Sequence, residues 1–247
     1  SDGMDRIHAD ISVNGEGGED TVHLDDSGNT QINTGYITET MVAGLSRESD
    51  DINDVSFNYH EDLETLNIYL GSASDRLFIE DTFRNSTNIV ANAGDDAILA
   101  KRLSGNVSIE GDSSTQTVAE GNDHIFIDTI TGLNASTHPD AANYTTDISL
   151  DSGDDIVDIT TIEAGMGGVT ISGEEGDDSV RVGDVHSHLT VHGDNSDANN
   201  PESNYSDKDR IFVDTADSVV TLNGNKDNDR IYLRASSSAA DVRIDTG

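Results

Sequence analysis

The sequence lacks cysteine and tryptophan, has only 2 proline residues, and carries few basic side chains. Without cysteine, disulfides, a cysteine nucleophile and thiolate metal sites are excluded. The 13 Lys and Arg residues against 49 Asp and Glu residues give a formal net charge of −36. Nucleic acid and anionic lipid both require a positive protein surface, so neither is an expected partner. No apolar run approaches the roughly 18 residues of a membrane span, so no membrane insertion is expected.

The residues that are abundant indicate strands joined by polar turns. The chain contains 36 Asp against 13 Glu, together with 23 Gly and 20 Asn. Short Asp and Asn side chains bond nearby backbone groups and are typical of turns. The many Ile, Val and Thr residues favour strands.

One unit recurs along the chain: a turn rich in Gly, Asn and Asp that ends in Asp, then a strand with alternate apolar residues. Clear copies are SGDDIVDI (Ser152–Ile159) and EGDDSVRV (Glu175–Val182). The aligned aspartates are Asp5, Asp20, Asp75, Asp96, Asp123, Asp155, Asp178, Asp209 and Asp229. The positions two and four residues after each Asp are apolar in every copy, which predicts a strand with one buried face. A second alternating strand precedes most of the turns.

A unit of two strands cannot bury its apolar face alone, so the units are expected to stack. We predict an all-β fold, a parallel β-solenoid of the right-handed β-helix or β-roll type, with about 8 to 10 coils. Residues 1–247 would form one domain, with loop insertions near residues 26–64, 111–119, 128–146 and 193–205. Asp2–Ala9 and Asp241–Gly247 both break off within the motif, so we expect a segment of a longer repeat protein. The rival fold is a β-sandwich of hairpins.

Stacked coils place equivalent turns about 4.8 Å apart, so the Asp column becomes a ladder of carboxylates. A hard dication relieves their repulsion, and exposed carbonyl oxygens of Gly-rich turns complete its shell of about six to eight oxygens. Ligands that are all oxygen suit Ca²⁺ better than zinc or copper. The candidate calcium ligands are the acidic residues clustered at the turns: Glu16, Glu19, Asp20, Asp95, Asp96, Asp151, Asp154, Asp155, Glu174, Asp177, Asp178, Asp227 and Asp229.

These turns resemble the hemolysin-type (RTX) calcium-binding repeats of secreted bacterial proteins, whose pattern is G-G-x-G-x-D-x-U-x with U apolar. NGEGGEDTV (Asn14–Val22) and SGEEGDDSV (Ser172–Val180) come closest to it. The stretches Tyr36–Leu45 and Phe57–Ile79 are similar to a repeat of giant bacterial surface adhesins. The resemblance implies a secreted or cell-surface protein that binds calcium. RTX nonapeptides occur in tandem and put calcium turns on both edges, whereas here only one edge carries the motif.

Two interpretations without a metal stay open. A turn Asp also bonds backbone N–H groups and then needs no cation. Arg follows the aligned Asp in four copies, and such an Arg could bridge to an Asp of the neighbouring coil. These arginines are Arg6, Arg76, Arg210 and Arg230.

The repetition and the acidity favour a structural or adhesive segment, a spacer or stalk of a large extracellular protein. The expected partners are neighbouring coils of the full-length protein and a glycan or cell-surface ligand. The sequence has no nucleophile elbow, phosphate loop or H-E-x-x-H motif, so we do not predict an enzyme. The alternative is a glycan-active or glycan-binding parallel β-helix, such as a lyase, epimerase or hydrolase. It would show a groove along one sheet face with clustered Asp and Arg.

Overall fold

A computed structural model describes residues 4, 7, 9–45, 56–60, 62–112, 121–132, 143–194, 207–225 and 228–246. These residues contain almost no helix, and none that is long and apolar enough to cross a membrane. The strands are β1 (Ile11–Val13), β2 (Thr21–Asp25), β3 (Thr34–Thr38), β4 (Met41–Ala43), β5 (Ser56–Tyr59), β6 (Thr65–Tyr69), β7 (Arg76–Ile79), β8 (Ser86–Val90), β9 (Ala97–Ser104), β10 (Asn106–Glu110), β11 (His124–Thr131), β12 (Thr145–Ser149), β13 (Ile156–Ile162), β14 (Gly168–Glu174), β15 (Ser179–Val185), β16 (Leu189–Asp194), β17 (Arg210–Ala216), β18 (Val219–Asn223), β19 (Arg230–Ser236) and β20 (Asp241–Asp245).

The strands form two sheets, which we call sheet A and sheet B. In the described part of the chain, sheet A has the order β1-β5-β4-β3-β7-β9-β11-β13-β15-β17-β19, and sheet B the order β2-β6-β8-β10-β12-β14-β16-β18-β20. From β6 onward, consecutive strands alternate between the sheets, and each pairs in parallel with the strand two places later. This all-β arrangement of two largely parallel sheets is consistent with a β-solenoid.

One hydrophobic core lies between the two sheets, because alternate residues of most strands point inward. The register aligns the first apolar position after each Asp into a single column: Leu77, Ile98, Ile125, Val157, Val180, Ile211 and Ile231. All but the last of these are at most 2% exposed. Burying one such side chain stabilises the fold by about 1.5–3 kcal/mol. The predicted alignment of the strands after Asp75 through Asp229 is therefore confirmed.

The N-terminal copies depart from this alignment. The strand after Asp20, β2, belongs to sheet B and pairs with β6, whereas the aligned pattern placed it in sheet A. Strand β1, predicted to precede a turn in the other sheet, pairs with β5 in sheet A. The prediction is wrong here because an Asp turn followed by alternating apolar residues marks where a strand begins. It does not specify which sheet the strand joins.

Residues 26–64, expected as an insertion, contribute strands β3, β4 and β5 to sheet A. Strand β4 pairs antiparallel with both β3 and β5, while β3 continues the parallel ladder onto β7. Of the other predicted insertions, residues 113–119, 133–142 and 195–205 lie outside the described residues.

Candidate functional site

Seven of the aligned aspartates lie where strands of sheet A begin, each directly before its strand. We call this row the inner ladder; its members are Asp75, Asp96, Asp123, Asp155, Asp178, Asp209 and Asp229. Asp75 through Asp209 are buried, with at most 3% of each residue exposed. The row is therefore part of the interior of the turns and not of their surface.

Hydrogen bonds join the inner ladder from coil to coil. The backbone N–H of each Asp donates to Oδ1 of the next Asp along the chain, as from Asp96 to Asp123 at 2.8 Å and from Asp155 to Asp178 at 2.9 Å. The same bond recurs at 2.5 to 3.1 Å through the remaining steps to Asp229. At the start of the row the N–H of Asn33 donates to Oδ1 of Asp75 at 2.6 Å. Each coil is thus tied to the next by a side chain as well as by its sheet.

A second row of residues lies one position earlier in each turn. Its hydrogen bonds point in the opposite direction along the stack of turns. We call it the outer ladder; its members are Ser74, Asp95, Asn122, Asp154, Asp177 and Lys208. Here each N–H donates to the side chain of the preceding coil, at 2.8 to 3.1 Å. Asp95, Asp154 and Asp177 are exposed. The two adjacent residues of each turn therefore belong to two ladders, one buried and one at the surface.

In five turns of the inner ladder, one carboxylate oxygen has no hydrogen-bond partner. Oδ2 of Asp96, Asp123, Asp155, Asp178 and Asp209 is buried and accepts no hydrogen bond. Oδ2 of Asp20, in the N-terminal turn, is in the same state. A buried, unpaired carboxylate oxygen is costly unless it is protonated or meets a cation.

Burial raises the pKa of the inner-ladder carboxyls strongly from Asp75 to Asp209. Desolvation is the largest cause in every case, neighbouring carboxylates add to it, and the amide bond to Oδ1 opposes it. The pKa is raised to about 9 for Asp96 and Asp155, about 8 for Asp209, about 7 for Asp123 and Asp178, and about 6 for Asp75. The site therefore favours a state in which its negative charge is neutralised.

A third row of polar residues lies across the turn, where the strands of sheet B end. This corner row consists of Asn92, Asp112, Asp151, Glu174, Asp194 and Asn225. Four of its members, Asn92, Asp151, Glu174 and Asn225, have φ between 68° and 79°. Burial raises the pKa of Asp151 to about 7, and nearby Glu110 and Glu174 contribute to the shift. The acids of the corner row also raise the pKa of the inner ladder, so the two rows share one electrostatic site.

Glycines allow the turns to stack this closely. A β-carbon at Gly121, Gly153 or Gly176 would overlap the carbonyl oxygen of the glycine in the preceding turn. Gly153 and Gly176 also have φ of 132° and 136°, which L side chains rarely adopt. The glycine carbonyl oxygens of successive turns therefore lie in a row beside the ladders.

The predicted calcium ligands separate into these rows. Asp96, Asp155, Asp178 and Asp229 belong to the inner ladder, Asp95, Asp154 and Asp177 to the outer ladder, and Asp151 and Glu174 to the corner row. Glu16 and Glu19 are exposed and Asp20 is half-buried. Asp227 lies outside the described residues.

Sequence reasoning missed five acids of the site, Asp75, Asp112, Asp123, Asp194 and Asp209. It required two or more acids at each turn, but Asn122 and Lys208 precede two of them. The repeat alignment alone would have indicated Asp123 and Asp209 as members of the site, since both belong to the set of aligned aspartates.

Among the described residues, no arginine that follows an aligned aspartate forms an ion pair with an Asp of the neighbouring turn. In the described ranges, Arg76, Arg210 and Arg230 form no ion pair, and Arg210 lies beside Arg230 in the register. Arg6 is outside the described residues. Several ion pairs between neighbouring strands lie on the outward face of sheet A instead, such as Arg234 with Asp214 at 3.0 Å.

Comparisons of this chain with protein-family models, with curated proteins and with solved structures each find no significant match. Within the described residues, no group of three or more His, Asp or Glu side chains converges on one metal-sized site. A cation at the inner ladder would therefore take one or two carboxylates and complete its shell with carbonyl oxygens or water.

Proposed function

We propose that this chain is a calcium-stabilised structural segment, a parallel β-solenoid that serves as a spacer or adhesive stalk outside the cell. The observation that carries this proposal is the row of buried Oδ2 atoms in the inner ladder, which accept no hydrogen bond. Five successive coils present such an oxygen, and each stands in a turn that also carries acids of the outer ladder or corner row.

The donor set fits calcium chemically. Calcium binds carboxylate and carbonyl oxygens in flexible geometry, and the turns supply both. Asp155, Asp178 and the glycine carbonyls of Gly121 and Gly153 lie in adjacent turns of one stack. Calcium would contribute positive charge where the chain has an excess of negative charge. Binding to the folded chain alone would also couple folding to calcium concentration. The RTX-like pattern of the turns supports the same assignment and remains a resemblance.

An extracellular setting follows from this proposal, because weak calcium sites are filled only where calcium is abundant. The segment would stay loosely folded where calcium is scarce and would stack after export. Its function as a spacer is supported by the continuous core and by the two ladders, which tie each coil to the next.

Thermal unfolding followed by circular dichroism tests the proposal. The wild-type chain is melted in EDTA, in millimolar calcium and in millimolar magnesium. We expect a large rise in Tm that is specific to calcium. The variant pair Asp155→Asn and Asp178→Asn should lose much of the rise, since an amide keeps the Oδ1 acceptor but removes the charge. The matched pair Asp154→Asn and Asp177→Asn on the outer ladder should keep most of it. A folded β spectrum with no calcium shift would contradict the proposal.

The glycan-active alternative lacks a comparable observation. A glycan hydrolase needs an acid whose pKa is raised and whose oxygen reaches the sugar. The strongly raised pKa values described above belong to turn carboxyls whose Oδ2 atoms are buried, such as those of Asp96 and Asp155. These oxygens are closed off from a polymer on the surface.

A further inference from the structure

The outward faces of the two sheets differ in chemistry although their architecture is the same. On sheet B the central outward column is polar, running through His23, Asn67, Asn88, Ser108, Asp147, Thr170, Thr190, Thr221 and Arg243. On sheet A the equivalent column is Tyr36, Phe78, Leu99, Phe126, Asp158, Arg181, Phe212 and Tyr232. A solvated sheet face is normally polar, as sheet B is, so the aromatic column on sheet A needs a separate explanation.

The first half of this column forms an apolar groove. Tyr36 and Phe78 stack with ring centroids 5.2 Å apart, Leu99 is 39% exposed and Phe126 is 41% exposed. Together they line an open groove of about 480 Å³ across four neighbouring strands. Contiguous exposed apolar residues of this kind mark binding surfaces on soluble proteins. We call these four residues the aromatic groove.

Polar side chains flank the aromatic groove on both sides. On one side stand Glu80, Lys101 and Asp128, with Lys101 hydrogen-bonded to Glu80. On the other side, two residues earlier in their strands, stand Arg76 and His124. The groove therefore has hydrogen-bond donors and acceptors beside aromatic faces, which is an arrangement that specific ligand sites share.

Charge narrows the possible occupants. A polyanion is disfavoured by the net charge of −36, and so is a second copy of the same chain. A neutral sugar chain avoids both penalties. Its hydroxyls pair with carboxylates and with cationic donors alike, and the C–H faces of its rings pack on aromatic rings. The strands lie about 4.8 Å apart, which is close to the length of one sugar ring in an extended chain.

We propose that the aromatic groove of sheet A binds an unbranched neutral glycan, laid across the strands with its rings on Tyr36, Phe78 and Phe126. Glu80 and Asp128 accept hydrogen bonds from its hydroxyls, and Lys101 donates to them. This binding is separate from the calcium-stabilised scaffold and does not depend on which cation fills the turns.

Affinity gel electrophoresis of the whole chain, in calcium-containing buffer, tests the proposal. The probes are mixed-linkage β-glucan and linear glucomannan, with polygalacturonate and chitosan as charged comparisons. We expect at least one neutral polymer to retard the wild-type chain. The dissociation constant should rise at least tenfold in Phe126→Ala and in Phe78→Ala. Phe126→Tyr should bind like wild type because it keeps the ring. Tyr69→Ala, which removes a ring stacked on His23 at the outward face of sheet B, is the matched control and should bind normally.

Three results would overturn the proposal. One is the absence of retardation by both neutral polymers while the chain shows its β spectrum. Another is retardation that survives in Phe126→Ala and Phe78→Ala. The third is a wild-type chain that sediments as a dimer and becomes a monomer in Phe126→Ala, because the groove would then be an interface between copies.

Discussion

The inner and outer ladders are built from adjacent residues, yet they select different side chains. The outer ladder uses Asp at three positions and Ser74, Asn122 and Lys208 at the others. The inner ladder uses Asp at all seven positions from Asp75 to Asp229. Both rows accept an N–H bond, and an Asn oxygen accepts one as well as an Asp oxygen does. Hydrogen bonding alone therefore accounts for the outer ladder but not for the inner one.

The difference indicates that the inner ladder depends on the second oxygen of its carboxylates. Asn33 takes the position before Asp75 at the start of the row. Its backbone N–H donates to Asp75, and its side-chain amide donates to Asp26 at 2.6 Å. Further along, each Asp side chain has a second carboxylate oxygen. In the outer ladder the Asp side chains are exposed to water, whereas in the inner ladder the second oxygen is buried from Asp96 to Asp209. Such an oxygen binds either a proton or a cation, and the two compete for it.

The largest expected effect is a dependence of stability on pH when no metal is present. From Asp75 to Asp209 the inner-ladder carboxyls have folded pKa values of about 6 to 9, against an unfolded value near 3.8. A raised folded pKa contributes stability that is complete below the unfolded value and is lost as pH rises through the folded value. In EDTA the free energy of unfolding should therefore fall between pH 4 and pH 9, by more than about 3 kcal/mol. Urea unfolding at a series of pH values measures it.

Added calcium and added salt distinguish the possible causes of this decrease in the free energy of unfolding. Saturating calcium should remove most of it, because the cation replaces the proton at the buried oxygens. Self-repulsion of the net charge also grows with pH, and high salt screens that repulsion but not the buried row. A stability that rises from pH 4 to pH 9 in EDTA would show that the ladder carboxylates are stable in their charged form.

The next effect concerns the turn spacing on which both ladders depend. Gly176→Ala places a β-carbon against the carbonyl oxygen of Gly153 in a backbone conformation with φ of 136°. We expect destabilisation of about 3 kcal/mol or more in urea unfolding. Gly17→Ala is the control, since a β-carbon there meets no atom within 4 Å, and it should change stability by less than about 1 kcal/mol. Equal effects of the two variants would mean that the close stacking of turns is unimportant.

The repeated units of turn and strand were predictable from the sequence because burial and turn chemistry agree there. Alternate apolar residues after each Asp specify the inward face, and the shared Asp specifies the register, so Val157 and Val180 align as expected. The N-terminal strands were not predictable, since nothing local tells β2 to join sheet B. The opposed directions of the two ladders follow from turn geometry, which spacing does not encode. The alternation also places Phe78 and Phe126 on the outward face, three residues after their aligned Asp. Only the strand register shows that these residues form one column with Tyr36 and Leu99.

The smallest expected effects come from single alanine substitutions, one in each of the two ladders. Asp155→Ala removes the acceptor of the Asp123 N–H and leaves that amide buried without a partner, so we expect a loss of about 2 kcal/mol. Asp154→Ala removes the acceptor of the Asp177 N–H at an exposed position, where water replaces it, so the loss should stay below about 1 kcal/mol. Urea unfolding at pH 5 in EDTA measures both, because Asp155 with a pKa of about 9 is then protonated and the comparison isolates the hydrogen bond. A loss as large for Asp154→Ala would show that the outer ladder stabilises the stack as much as the inner one. The selection of Asp along the inner ladder would then require a reason other than burial.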